Sequence, residues 1–561
     1  MKVDEKGMER KFTVTFRGKE SLEFNEGTTF KQISESFKNY FDYDILVAKV
    51  DNDIVDLSQR LIKNCNIDFF DRSSEVGNYT YARTACLILL YAAKCTYGYT
   101  SKVIIENSMD NGIYCSLVGA KLDKNEIAKL EREMKRIVAS NLEITKVSTS
   151  RLDAIKYYKK AGIIDKVNLL KYISNTYINM YKLDFIYDYF YGRMAYSTGQ
   201  INDFKLTYVK DNCFALSIPT MDNPKFTENY THHDKVADEF EKYKNWCKDG
   251  YINTVADLNR IVSRAKTGEL INLSEIRYNN QLVKIANEIV SSRGNVKIVL
   301  LAGPSSSGKT TTSKKLDLHL KARGFFTHAI ELDNYFTDME VRVLDENGKP
   351  DFESIRAIDT ELFNQNLKDL LDGKEVNLPK FNFITGKREY HDNYLKLGSK
   401  DLIIVEGLHA LNDDLTKDID SDKKYRVYIS PLNTTHLDDH NYIHSSDIRK
   451  LRRIVRDSKT RGFGAKETLS MWPDIQKGEK ENIFKFQDSV DSVVNSSLLY
   501  EIGVLKTYVE PLLFNVTEDD PEYPEALRLI NFLRNFLPIP SDDVPQDSVL
   551  REFIGGSCFK D

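Results

Sequence analysis

Residues 303–311 read GPSSSGKTT, and the spacing from Gly303 to Thr310 fits GxxxxGK[ST], a loop that cradles phosphates. Working outward, the apolar run 296–302 (VKIVLLA) predicts a buried parallel strand just before the loop. Residues 311–321, closed by Gly324, predict a helix just after it. Strand, loop and helix in that order are the context such a motif needs. Gly303 and Gly308 let backbone N–H groups turn inward on a polyphosphate, and the helix N-terminus adds partial positive charge. Lys309 can reach the β- and γ-phosphates, and Thr310 supplies a hydroxyl for magnesium.

Downstream, 327–332 (THAIEL) predicts a second strand that ends at Asp333, and 402–405 (LIIV) predicts a third that runs into Glu406. Carboxylates at the C-terminal ends of parallel strands lie on the rim where doubly wound sheets hold ligands. Asp333 is placed to take a proton from an acceptor hydroxyl, and Glu406 to hold magnesium. Residues 447–462 (DIRKLRRIVRDSKTRG) predict a helix with Ile448, Leu451 and Val455 on one face and Arg449, Arg453 and Arg456 on another. Arg461 follows at its end. Guanidinium groups facing a triphosphate stabilise charge on the transferred group, and this helix is expected to act as a lid that closes over ATP. Gly303, Ser305, Ser306, Ser307, Gly308, Lys309, Thr310 and Thr311 are the expected nucleotide-binding residues, with Thr310 and Glu406 on the metal. Lys309, Asp333, Arg453, Arg456 and Arg461 are the expected catalytic set.

The chain has 561 residues, more than one core can serve, and a formal net charge of −5 argues against nucleic-acid binding by overall basicity. Seven cysteines without a CxxC pair fit reduced thiols rather than a disulfide framework or zinc site. The N-terminus lacks an apolar segment, and 85–93 is too short to span a bilayer, so a cytoplasmic protein with no membrane partner is expected. The oligomeric state stays open.

Residues 296 to about 500 resemble the uridine kinase and phosphoribulokinase family of P-loop kinases. The resemblance rests on six motifs in one order: GPSSSGKTT, LDNYF, DFESIRAID, PKFNFITGKRE, IIVEGLHAL and DIRKLRRIVRDSKTRG. It implies ATP and Mg2+ as cofactors, Asp333 as base, and a nucleoside-like small molecule as acceptor. It also implies Glu353 as the acceptor-sugar carboxylate, with Phe336, Phe381, Arg388 and Arg453 around the acceptor. Phe336, Phe381 and Gly386 stand where uridine kinases carry a tyrosine, a tyrosine and a histidine that read the pyrimidine. Phe463 replaces the last arginine of the family's RGR, and Glu353 an aspartate. A kinase for another hydroxyl-bearing metabolite therefore stays open, as does a nucleotide-dependent regulatory or RNA-associated module.

Residues 11–72 alternate as short strands around a helical stretch from Thr29, a small β-grasp-like unit that resembles the TGS domain of threonyl-tRNA synthetases in EGTTFKQI and VAKVDNDIVDL. Residues from about 75 resemble the editing domain of those synthetases, with Ala82, Cys86, Phe190 and Met194 where that family has metal-ligating histidines and a cysteine. The resemblance implies a fold kept without hydrolytic editing. Residues 226–293 read as helical, with Thr254 and Ser274 as N-caps, and the tail as two amphipathic helices and a short terminal segment. The expected organisation is an α/β chain. Residues 1–73 form a TGS-like β-grasp domain, 74–225 an editing-like α+β domain and 226–293 a helical connector. Residues 294–500 form a P-loop kinase domain with a doubly wound parallel sheet, and 501–561 a helical extension.

Overall fold

The structure is a computed structural model that describes residues 10–109, 111–292, 295–338, 354–382 and 385–559. Its functional centre is a five-stranded parallel sheet in the spatial order Phe326–Glu331, Asp401–Glu406, Ile298–Ala302, Lys424–Ser430 and Ser492–Asn495. The P-loop strand, Ile298–Ala302, lies in the middle and is buried at every residue, which explains its unbroken apolar sequence. Side chains alternate across it. Val299 and Leu301 join one apolar layer, and Ile298, Leu300 and Ala302 join the other. Because the chain leaves this strand for one side of the sheet and later returns on the other side, the loop at its C-terminal end sits at a topological switch point.

The first apolar layer is made by helices from distant parts of the chain. Leu282, Ile285 and Ile289 of the helix Thr267–Ser291 and Leu316 and Leu320 of the helix Lys309–Lys321 belong to it. So do Val504, Leu505 and Val509 of Glu501–Leu513 and Leu529 and Phe532 of Tyr523–Leu533. Thr254 caps the helix Val255–Val262 through a reciprocal box with Asp257. Ser274 does not cap a helix. It lies inside Thr267–Ser291 and its hydroxyl donates to the Leu270 carbonyl one turn back, the other common use of a serine on a helix.

Towards the N-terminus, five strands pair in the order Glu20–Asn25, Lys11–Phe16, Cys65–Phe70, Val47–Val50, Asp53–Asp56, with only the Lys11–Phe16 and Cys65–Phe70 pair parallel. Phe12, Val14 and Phe16 point inward at period two and meet Phe30 and Ile33 of the helix Phe30–Glu35. Asp51 and Asn52 turn the Val47–Asp56 hairpin with positive φ, the geometry a tight hairpin demands. Next, the helix Glu75–Tyr97 packs in one apolar cluster with a four-stranded antiparallel sheet. Cys86, Phe190 and Met194 are all part of that cluster.

Candidate functional site

Two backbone features make the P-loop. Gly308 turns with φ +92° at the helix N-cap, a conformation that favours glycine. A Cβ at Gly303 would lie 2.1 Å from the Ile429 carbonyl oxygen, so the strand after the switch point packs directly on the loop. Lys309 folds back over it and donates to the carbonyls of Gly303 and Pro304 at 2.9 and 3.3 Å. Desolvation holds its pKa below the usual lysine value, while Glu406, Glu552 and Glu479 pull the other way.

The strand ends bring the expected acids to this lysine. Thr310 Oγ1 donates to Glu406 Oε1 at 3.2 Å, and Glu406 Oε2 is buried with no hydrogen-bond partner. Burial pushes the Glu406 carboxyl up to about 7 against the attraction of Lys309. A hydroxyl beside a carboxylate with an unused buried oxygen is a hard-oxygen donor set, and it fits a magnesium ion. Asp333 follows the strand Phe326–Glu331 in the short turn Leu332–Tyr335. Its side chain reaches solvent at the rim, yet the surrounding protein raises its pKa by desolvation, opposed by the charges of Lys309 and Arg461. Lys309, Thr310, Glu406, Asp333 and Arg461 therefore share one electrostatic neighbourhood.

The arginine helix, Ser445–Thr460, is not a lid. Ile448, Leu451, Ile454 and Val455 are fully buried in the sheet-covering layer, and Arg452 is buried with them. Arg452 pairs with Glu501 at 2.7 Å and donates to the carbonyls of Ser306 and Ser307. The sequence reading left Arg452 unassigned, but a paired guanidinium can lie inside and tie the helix to the loop. Arg453 Nη1 donates to Ser305 Oγ at 2.6 Å. Arg453, Arg456 and Arg461 all converge on the buried carboxylate of Asp457, at 3.1, 3.1 and 3.6 Å.

On the expected acceptor side, the rings of Phe336 and Phe381 meet edge to face with centroids 5.7 Å apart. Phe381 is buried, and its N–H donates to Asn334 Oδ1. Arg388 pairs with Asp359 at 2.8 Å. Glu353 lies outside the described residues.

Sequence reasoning missed two carboxylates on the P-loop amides. Glu479 accepts from Ser305 N at 2.7 Å and also pairs with Arg449. Glu552, in the C-terminal turn Arg551–Ile554, accepts from Thr311 N at 3.1 Å. Beside it, the Val549 side chain leaves no room for a Cβ at Gly308. No motif announces these residues, because they come from segments read only as helical tail or left unassigned. The signal available was chemical: unpaired amides at a helix N-terminus attract carboxylates. Asp457 was likewise overlooked as the hub of the arginine cluster, although it sits inside the quoted motif.

The comparisons with known proteins agree with this geometry. Residues 298–494 match the Phosphoribulokinase / Uridine kinase family. The chain is 33% identical over 165 residues to a uridine kinase of Macrococcus caseolyticus (strain JCSC5402), spanning 29% of this chain and 70% of that protein. It is 32% identical over 178 residues to a uridine kinase of Staphylococcus aureus (strain JH9), spanning 32% of this chain and 76% of the relative. Among solved structures, D-glycerate 3-kinase from Cryptococcus neoformans aligns at 15% identity over 48% of this chain and 89% of that one, with a TM-score of 0.21. A phosphate-cradling loop at the switch point of a parallel sheet, with relatives of this identity and coverage, leads to one statement: through residues 298–494 the chain belongs to the phosphoribulokinase / uridine kinase family of phosphotransferases.

Proposed function

We propose that the protein transfers the γ-phosphoryl group of ATP to a hydroxyl of a nucleoside-like small molecule. The observation that carries this reading is that Asp333 and Glu406, at two neighbouring strand ends, both lie within electrostatic reach of Lys309. Asp333, its pKa raised by desolvation yet within the field of Lys309 and Arg461, is suited to accept the acceptor's proton. Lys309 and the arginines gathered on Asp457 hold negative charge, and Arg453 fixes the loop through Ser305. Thr310 and Glu406 would hold magnesium, which when bound screens the charge of the phosphates.

The acceptor is the finer question. Phe336 and Phe381 form an apolar edge-to-face pair, which supports a site that selects by shape more than by hydrogen bonds to a base. That favours, as a second reading, an acceptor other than uridine. A screen of ADP release with uridine, cytidine, purine nucleosides, sugars and small hydroxy acids tests both. Strong turnover of uridine or cytidine retires the second reading, and ATP binding without any acceptor-dependent turnover sinks both. The N-terminal units, with the mixed sheet order and helix that a β-grasp module has, are proposed to be TGS-like and editing-like modules in a binding or assembly role.

A further inference from the structure

Away from the P-loop, a cavity of about 590 Å³ opens where the helix Glu75–Tyr97, the strand Ile186–Tyr189 with the loop after it, the start of the arginine helix and the helix Tyr523–Leu533 meet. That volume is in the range of small-molecule sites. Several of the charged side chains that line it are paired. Arg528 is held by Asp447 at 2.6 Å and Glu525 at 2.7 Å. Lys450 is held by Glu525 at 2.5 Å, and Arg193 by Asp56 at 3.3 Å. His440 pairs with Asp188.

Arg83 is different. Among the described residues no carboxylate lies within ion-pair distance of it, and its Nε donates to the Arg193 carbonyl at 3.3 Å. Burial holds its pKa below the usual arginine value, and the nearby Arg528 pushes the same way. The guanidinium lies directly over Gly192, where a Cβ would meet Nη1 at 2.0 Å, so the backbone is shaped to admit it. A guanidinium that lines a cavity with no carboxylate beside it is a ready partner for an anion. Flat rings stand nearby: Tyr79 and Tyr442 pack on His444 with centroids 5.3 and 4.3 Å away. Burial keeps His444 neutral at physiological pH, with a pKa of about 4, so it adds no positive charge to the wall.

We propose that this cavity is a second binding site for a nucleoside monophosphate, whose phosphate meets Arg83 and whose base lies against the Tyr79, His444 and Tyr442 rings. The site stands apart from the phosphoryl-transfer reading, since none of its residues contacts the P-loop amides. The arginine helix contributes to both places: its first turns line the cavity through His444 and Lys450, and Arg449 and Arg453 reach the loop.

Binding of UMP to the full chain, followed by the fluorescence of the cavity-lining Trp472 and by calorimetry, tests this. UMP should bind saturably, uridine and inorganic phosphate each at least tenfold more weakly. Arg83→Gln should weaken UMP at least tenfold, and Arg83→Lys less. Lys309→Ala should leave UMP binding unchanged, which separates the cavity from the nucleotide loop. Should Arg83→Gln fail to fold, Ala82→Trp, which fills the cavity from the neighbouring helical position, must abolish binding. The proposal is overturned by absence of saturable UMP binding, by equal affinity for uridine or phosphate alone, by persistence of binding in Arg83→Gln or Ala82→Trp, or by its loss in Lys309→Ala.

Discussion

Glu552 shows how a single carboxylate can compete with a substrate. Its hydrogen bond to Thr311 N occupies an amide that a bound nucleotide phosphate would use. Replacing Glu552 by Ala frees that amide and removes a negative charge near Lys309, so ATP should bind about tenfold tighter. Equilibrium titration with ATP checks this, and unchanged or weaker affinity refutes it. Such a residue is invisible to motif reading, because its role depends on where the last turn docks and not on its neighbours in sequence. Asp333, Glu406, Lys309 and Thr310 were legible for the opposite reason: each is fixed to the end of a strand or the start of a helix by local sequence. His444 is a further test at this scale. Its pKa is depressed by burial to about 4, so the folded state requires the neutral ring; stability is intact above the ordinary histidine value and falls as pH drops toward 4. Asp447 opposes this shift, and Arg528, Arg83 and Lys450 reinforce it. His444→Asn should therefore gain about 2 kcal/mol relative to wild type between pH 7 and 5, seen as a melting-temperature difference that widens on acidification.

At the scale of elements, the arginine helix carries the clearest lesson. Its apolar stripe was legible in the sequence at helical spacing, but its arginines led to the expectation of a lid that closes over ATP. The reason is Arg452, whose fully buried pair with Glu501 requires a partner from the helix Glu501–Leu513, far away in sequence. A lid must leave its neighbours on opening, and a buried ion pair opposes that. Removing one member leaves a buried charge unmatched, so Glu501→Ala should destabilise the fold by about 3–5 kcal/mol, whereas Arg452→Met with Glu501→Leu should cost far less. Denaturant unfolding of the three proteins measures it, and equal losses in single and double variants would contradict the pairing. Ser274 failed as a cap for a related reason: the helix extends back to Thr267, so the serine lies in its interior, where its hydroxyl serves the preceding turn.

Across the whole molecule, the order of strands could be argued from sequence only in part. The strand, loop and helix around residue 303 fixed a parallel α/β unit, but the helices that cover the sheet come from Thr267–Ser291 and Glu501–Leu513, on either side of the family match. Tyr278 shares a hydrogen bond with Thr312 on the P-loop helix, and Lys315 pairs with Asp547 at 2.7 Å, so both flanking segments touch the nucleotide loop's own helix. Long-range packing of this kind leaves only amphipathic stripes in the sequence, which name a buried face without naming its partner. The proposed chemistry rests on that assembly, because the ends of three strands and the arginine helix must meet to bring Asp333 within the field of Lys309 and Arg461. The decisive measurement is acceptor-dependent ADP release by wild type and Asp333→Asn, with ATP binding measured in parallel. The account predicts that the variant binds ATP as wild type does and turns over about 10²–10⁴-fold more slowly. Equal turnover in Asp333→Asn would contradict it.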